Sequence, residues 1–295
     1  MSADPTAVDL RTTLGAVELP RDVVRVAGPD AVDYLQGQLS QDVAALGPGE
    51  AAWSFLLQPT GKVDAWLRVT RTGDDELVLD VDAGHGEAVV ARLRRFLLRT
   101  KADVDPLPWR AVALRGPGAD RVEGLTGLVV PTWPGVEGVD ALGEDVAPPD
   151  GVARATAADL ASLRVRAGVP AMGAELTAST IPAEVGRHVL GASVSFTKGC
   201  YTGQELVARI DSRGGNVPRQ VRGLVVRAGA GVAPGAAVVV GGDEVGTVPS
   251  VAPAPGGGTV ALALVKRAVT PPAAGEVRVE DGTVAAEVVA VPFEG

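Results

Sequence analysis

Phe196 to Arg209 reads FTKGCYTGQELVAR and holds Cys200, the only cysteine among 295 residues. Thr202-Gly203-Gln204-Glu205 has the capping-box pattern, which predicts a helix with Thr202 as N-cap and Glu205 at its third position. Leu206, Val207 and Ile210 give that helix an apolar face, and Gly214-Gly215 gives it a stop. Cys200 then precedes a helix N-terminus, with Lys198 beside it. The helix dipole and the lysine charge both favour a thiolate. Gly199 and Gly203 flank the thiol and permit close backbone approach. The plainer reading of a lone cysteine is a small buried hydrophobe.

Charge adds a second point. Between Phe196 and Arg222, five cations (Lys198, Arg209, Arg213, Arg219 and Arg222) face two acids, Glu205 and Asp211, in a chain of formal charge −9. A solvated helix face is one reading of this run; an anion site for phosphate or polycarboxylate is the other. The overall charge argues against broad nucleic-acid binding through phosphate neutralisation. One cysteine cannot close an internal disulfide, which fits a reducing, cytoplasmic setting. The start, MSADPTAVDL, carries early acids and no apolar segment, so it does not read as a secretory signal. No apolar run approaches the ~20 residues of a membrane span. His85 and His188 are the only imidazoles, too few to build a four-ligand site with Cys200, so no metal site is expected within the chain. A cluster shared with a partner stays open.

Outward from the motif, the chain divides by texture. Val23–Gly28 reads as a strand, and Asp30 as the N-cap of a helix carrying Val32, Leu35 and Leu39. Gln58-Pro59-Thr60-Gly61 predicts a hairpin between Ala51–Leu57 and Lys62–Thr70. Glu76–Asp82 alternates apolar and acidic residues. A helix with Val89, Val90, Leu93, Phe96 and Leu97 on one face follows, then strands at Ala102–Val104 and Arg110–Leu114. Residues 116–151, rich in Gly and Pro, carry no assignment. A helix from about Thr156 ends near Gly168. After Pro218, six β-rich runs separated by Gly/Pro turns predict a small barrel or sandwich, with Pro253 to Gly258 as a hairpin tip.

KGCYTGQE followed by VAR resembles the signature of the YgfZ-type folate-binding proteins, relatives of the glycine cleavage T-protein, an aminomethyltransferase. VAGPDAVDYLQGQLSQDV near the start, LRVRAGVPAMGAEL with IPAEVG, and the late EVGTVPSV and TVALALVKR resemble the same family in order. The resemblance implies an α+β, three-domain ring with a C-terminal all-β barrel. It implies a discontinuous folate-binding domain at 1–48 and 111–216, an inserted α+β domain at 49–110, and the barrel at 217–295. It also implies tetrahydrofolate in a central channel. The pterin ring's 2-amino group and N3–H form a donor pair that one carboxylate can accept. Glu184 matches the family's pterin-binding glutamate; a carboxylate serving a helix start is the other reading. Arg209 and Arg187 are candidates for the anionic glutamyl tail, and Tyr201 and Gln204 complete the cofactor-binding set. Asp64, in Gly61-Lys62-Val63-Asp64-Ala65, corresponds to one of the T-protein's paired aspartates. It either assists proton transfer at the folate or is an outward strand residue.

Two functions of different class follow from the resemblance. The first is a tetrahydrofolate-binding accessory protein for iron–sulfur cluster assembly or repair. It would act on client enzymes that include tRNA-modifying ones, with Cys200 and Lys198 as its chemical centre and no direct contact to nucleic acid. The alternative is a folate-dependent aminomethyltransferase or demethylase moving a one-carbon unit, which Asp64 would serve. A module that only sequesters folate is a third, blander option.

Overall fold

The computed structural model describes residues 7–226 and 231–293. Residues 1–6 of the stretch read above for a secretory signal lie outside them. Among the described residues no helix is long and apolar enough to cross a membrane.

The chain runs β1 (Gly15–Glu18), β2 (Arg21–Ala27), α1 (Ala31–Gln38), β3 (Ala51–Leu57), β4 (Val63–Arg71) and β5 (Glu76–Asp82). It continues through α2 (Gly86–Arg94), β6 (Asp103–Leu107), β7 (Arg110–Arg115), β8 (Leu128–Pro131), β9 (Gly138–Gly143) and β10 (Ala153–Arg154). Then come α3 (Ala157–Arg166), α4 (Arg187–Ser193) and α5 (Gln204–Ser212). The last six strands are β11 (Arg219–Val226), β12 (Ala237–Val240), β13 (Asp243–Pro253), β14 (Thr259–Lys266), β15 (Ala273–Val279) and β16 (Gly282–Val289).

Two five-stranded sheets and one closed barrel result. The sheets have the orders β10-β1-β7-β9-β8 and β3-β4-β5-β2-β6, and the barrel closes as β11-β14-β13-β12-β15-β16. All six predicted C-terminal runs are barrel strands, and Pro253 to Gly258 is the β13–β14 tip. The expected division at residue 49 cuts through the second sheet. Strand β2 lies before that point yet pairs along its length with β5 and with β6. Val24 and Val26 of β2 share one buried cluster with Leu77, Leu79 and Val81 of β5, on the same face of the sheet. The unassigned stretch contributes β8 and β9, short strands whose Gly and Pro neighbours obscure the alternation.

Apolar residues from both sheets merge into one core. Leu10, Val17, Ala113 and Leu142 meet Trp53, Phe55 and Trp66, with Val189 and Val207 of α4 and α5. Trp53 and Trp66 stack at 4.1 Å. A buried ion chain crosses the same boundary. Asp80 of β5 accepts from Arg21 at 2.7 Å and from Arg68 at 2.9 Å, while Asp140 of β9 accepts from Arg68 and Arg115, both at 2.7 Å. Burial pushes Asp140 towards its protonated form, but Arg115 and Arg68 outweigh it and hold the carboxyl below its usual range. Glu76–Asp82 therefore does not turn a purely solvated acidic face outward, because Asp80 is 1% exposed.

Helix α3 fastens the barrel. It starts where expected, and Thr156 is its N-cap: Thr156 Oγ1 accepts from Asp159 N at 3.1 Å, and Asp159 Oδ2 accepts from Thr156 N at 2.8 Å. At its other end Arg164 donates to Ser250 Oγ on β13 at 2.8 Å, and Phe293 N donates to Arg166 O at 2.8 Å.

Candidate functional site

The loop that carries Cys200 is held down on both sides. Ser195 N donates to Ser40 O and Thr202 N to Gly37 O, each at 3.0 Å. Between them Lys198 Nζ donates to the carbonyls of Gln36, Leu39 and Gln41 at 2.6, 2.8 and 2.8 Å. These carbonyls lie at and just beyond the C-terminal end of α1, where backbone acceptors lack helical partners and the dipole favours a cation. Burial lowers Lys198 to about 8, with Asp42 opposing the shift. The lysine thus clamps the loop to α1, and its hydrogen bonds all go to backbone carbonyls. Cys200 itself is exposed.

The helix after the cysteine forms, but its predicted cap differs. α5 begins at Gln204, its N-cap is Gly203 in a left-handed conformation, and no side chain caps it. Thr202 therefore is not the N-cap, and Gln204 Oε1 accepts instead from Tyr201 N at 3.1 Å. Gly203 is required by contact as well as by φ, since a Cβ there would lie 2.5 Å from Gln58 O and 2.8 Å from Leu57 Cβ. Gly61 meets the same seam from the other side, where a Cβ would lie 2.4 Å from Leu206 Cβ. The hairpin tip and the start of α5 thus interlock through two glycines. Nothing crowds Gly199. Gly214 and Gly215 end α5 as expected, their N–H groups donating to Asp211 O and Ile210 O. The predicted cap Asp30 sits at the N-cap of α1 without a capping bond, and its Oδ2 accepts from Lys101 N at 2.7 Å.

Tyr201 belongs to the shared core, and burial raises its hydroxyl to about 12. Its ring lies 5.3 Å below Lys198 Nζ, a cation–π contact that adds to the clamp. Tyr201 and Gln204 thus position the loop.

Glu184 is 2% exposed and has both oxygens engaged. Oε2 accepts from Ile181 N at 3.0 Å, at the start of a short 3-10 turn, and Oε1 accepts from Arg219 Nε on β11 at 3.0 Å. The arrangement joins the turn to the barrel. Sequence reasoning missed the Arg219 partner, because 35 residues separate the two.

Asp64 has its own ion-pair partner. Its carboxylate pairs with Arg92 of α2 at 3.2 Å, and Arg92 also donates to Gln38 Oε1 and Leu57 O. Val63 and Ala65 on either side are buried. Asp64 and Arg92 share a groove with Arg95 and Phe96 on the α2 side of the second sheet.

Arg209 is exposed on α5. Arg187 is exposed at the start of α4 and lines a groove of about 720 Å³ with Arg222 and Arg267 of the barrel. Arg267 escaped the sequence reading because no linear signal places it beside α4. Among the described residues no group of three or more His, Cys, Asp or Glu converges in a way that could hold a metal ion.

The architecture defines the class. Over 97% of its length the chain superposes on 88% of the glycine cleavage system aminomethyltransferase T from Bartonella henselae, with a TM-score of 0.77 and 22% sequence identity, a likeness of fold. No protein-family model matches the chain. Curated relatives narrow the class. The tRNA-modifying protein YgfZ of an Enterobacter strain is 31% identical, and that of Edwardsiella ictaluri is 29% identical; each match covers 65% of this chain and 65% of the relative. The mouse mitochondrial iron–sulfur cluster assembly factor IBA57 is 29% identical over 75% of this chain and 69% of its own length. In sequence the chain is similar to YgfZ-type proteins and to IBA57, and in fold to the T-protein. Its match spans slightly less than two thirds of those bacterial relatives.

Proposed function

We propose that this protein binds tetrahydrofolate and supports the assembly or repair of iron–sulfur clusters in client enzymes, including enzymes that modify tRNA. One observation carries the reading: an exposed thiol stands on a loop clamped by Lys198 to three carbonyls. Clamping fixes the approach to a thiol that is open to a large partner. A thiolate is an iron ligand, and a single cysteine supplies one of the several that a cluster needs. The cluster is then cargo, with its remaining ligands supplied by the client or carrier. The names of the YgfZ and IBA57 relatives agree with this role.

Glu184 fits a pterin. Each carboxylate oxygen has two lone pairs, so Oε2 can hold Ile181 N–H and accept a second donor. Oε1 is shared with Arg219, whose side chain is 40% exposed and would turn aside for the second donor. Bound tetrahydrofolate would supply one-carbon chemistry; the residues here would orient its ring. One-carbon transfer by this chain is the weaker reading, because its candidate acid, Asp64, is already paired with Arg92.

The test is complementation of a deletion strain. Cys200→Ser is expected to abolish client iron–sulfur enzyme activity while calorimetric affinity for tetrahydrofolate stays within about twofold. Full client activity with Cys200→Ser would sink the reading. Glu184→Gln is expected to weaken tetrahydrofolate at least about tenfold, and unchanged affinity would remove Glu184 from the site.

A further inference from the structure

We propose that the turn closing α2, residues 95–101, is a docking surface for a protein partner that presents an acidic face around an apolar hollow. The partner's role rests on the client reading: it is a client or carrier, held in place while Cys200 meets its cluster.

Residues 92–101 read RLRRFLLRTK, five cations and no acid in a chain of formal charge −9. Arg92 and Arg94 have carboxylate partners in Asp64 and Asp105. Arg95, Arg99 and Lys101 are exposed, and among the described residues no carboxylate pairs with any of them. Exposed cations alone make only a solvated face. What sets this turn apart is the apolar surface among them. Four large apolar side chains among the described residues are exposed, and Phe96 and Leu98 are two of them. Leu98 is 86% exposed, against 38% to 51% for the other three.

Both ends of the turn are fixed. At its start Phe96 N and Leu97 N donate to Leu93 O and Arg94 O, and Arg94 Nε donates to Val104 O of β6 at 2.9 Å. At its end Lys101 N donates to Asp30 Oδ2 at 2.7 Å, and Asp30 N donates to Lys101 O at 3.3 Å. A Cβ on Gly28 would lie 2.4 Å from Lys101 O, so this anchor is closely packed. Between the anchors Arg99 has a φ of 63°, and among the described residues it is the single non-glycine residue with a positive φ. The left-handed region costs such a residue about 1–2 kcal/mol. The fold thus keeps a strained turn that holds Leu98 out in water, where burying a leucine is worth about 1.5–3 kcal/mol. A partner that covers Leu98 gains that burial and meets three uncompensated cations.

A nucleic acid fits this surface less well. Base stacking needs a bare aromatic face, and Arg92 Cζ already lies 4.0 Å from the Phe96 ring centroid. An exposed aliphatic side chain pairs instead with an apolar hollow in a protein, and the cations around it with acidic residues at the rim. The turn and the thiol loop are also fastened to the same end of α1. Arg92 donates to Gln38 Oε1, and Lys198 to the carbonyls of Gln36 and Leu39. A partner bound at the turn is therefore anchored through the element that holds the Cys200 loop.

The test uses the full chain, carrying Leu98→p-benzoylphenylalanine as a photo-cross-linker, in the deletion strain. Irradiation is expected to give an adduct with an acidic protein that mass spectrometry identifies as an iron–sulfur enzyme or carrier. Adding Arg95→Glu and Arg99→Glu together is expected to lower the adduct yield at least about fivefold. The same pair in the parent chain should lower client-enzyme activity as much, with calorimetric affinity for tetrahydrofolate unchanged. Arg278→Glu, an equal charge change on a barrel strand, should alter none of these. The proposal is overturned if the double variant, folded by its circular dichroism, keeps adduct and activity at parental levels. It also fails if no adduct forms, if the adduct is a second copy of this chain, or if ribonuclease removes it. The client reading fails separately, through full client activity with Cys200→Ser, whereas the adduct and its loss on charge reversal report on the turn alone.

Discussion

Arginine is used in two opposite ways in this molecule. Arg21, Arg68 and Arg115 are buried at the junction of the two sheets, and each meets at least one buried aspartate. Arg187, Arg222 and Arg267 line an open groove and meet none. In the first region the fold supplies its own counter-charges, which is the condition for keeping a cation out of water. In the second it brings cations together and leaves the counter-charge to something else. The contrast separates charge that the fold neutralises itself from charge that it leaves open.

Breaking the first region should have the largest effect. Asp140→Asn takes a carboxylate from between two buried guanidiniums, so the remaining charges stand uncompensated. The expected loss is about 3–5 kcal/mol, read from the urea midpoint. Titration with acid gives the same comparison a direction. Asp140 titrates below its usual value in the folded chain. Its stabilisation is therefore present above the unfolded value of about 4 and is lost as pH falls through the lower folded value. Asp140→Asn should lack that acid limb. A variant within about 0.5 kcal/mol of the parent would show that the buried ion chain is not what joins the sheets.

Lys198 falls between the two cases, being a half-buried cation whose partners are carbonyls. Lys198→Met removes the clamp and leaves three acceptors at the end of α1 without their donor, at an expected cost of about 1–3 kcal/mol. It should also raise amide exchange across the Cys200 loop while sparing the barrel. The pH dependence has a definite sign. Burial lowers the folded value to about 8, below the ordinary 10.5. Between those values the unfolded chain binds more protons, so this group's contribution to stability rises with pH. The stability difference between the parent and Lys198→Met should widen from about pH 8 to 10.5. A flat difference would mean that the amine is not buried as described.

Legibility in the sequence followed the range of the interactions. The barrel strands, the extent of α3 and the β3–β4 hairpin were visible because alternation, apolar periodicity and turn residues act over a few positions. Position Gly203 was readable as a glycine that permits close approach, but its partner Gln58, 145 residues away, was not. Thr202 satisfied a capping pattern that the fold did not use, because Gly203 turned left-handed to pass the hairpin tip. The lysine beside the cysteine looked like an activator of the thiol, and only the folded position of α1 reveals it as a clamp. Strand β2 lies before the expected domain cut yet pairs with strands beyond it, because sheet partners are set by tertiary pairing. The ion chain and the arginine groove were invisible for the same reason.

The smallest expected stability effect is the most informative about the second region. Arg222→Gln removes a half-buried charge that no carboxylate compensates, while Gln keeps a polar end for its neighbour Gln220. If the groove's cations are kept for a ligand, the free protein should lose nothing by the change, and its urea midpoint should move by no more than about 0.5 kcal/mol or rise slightly. A loss of about 2 kcal/mol without ligand would instead place Arg222 with Arg68 and Arg115, as a cation the fold needs for itself.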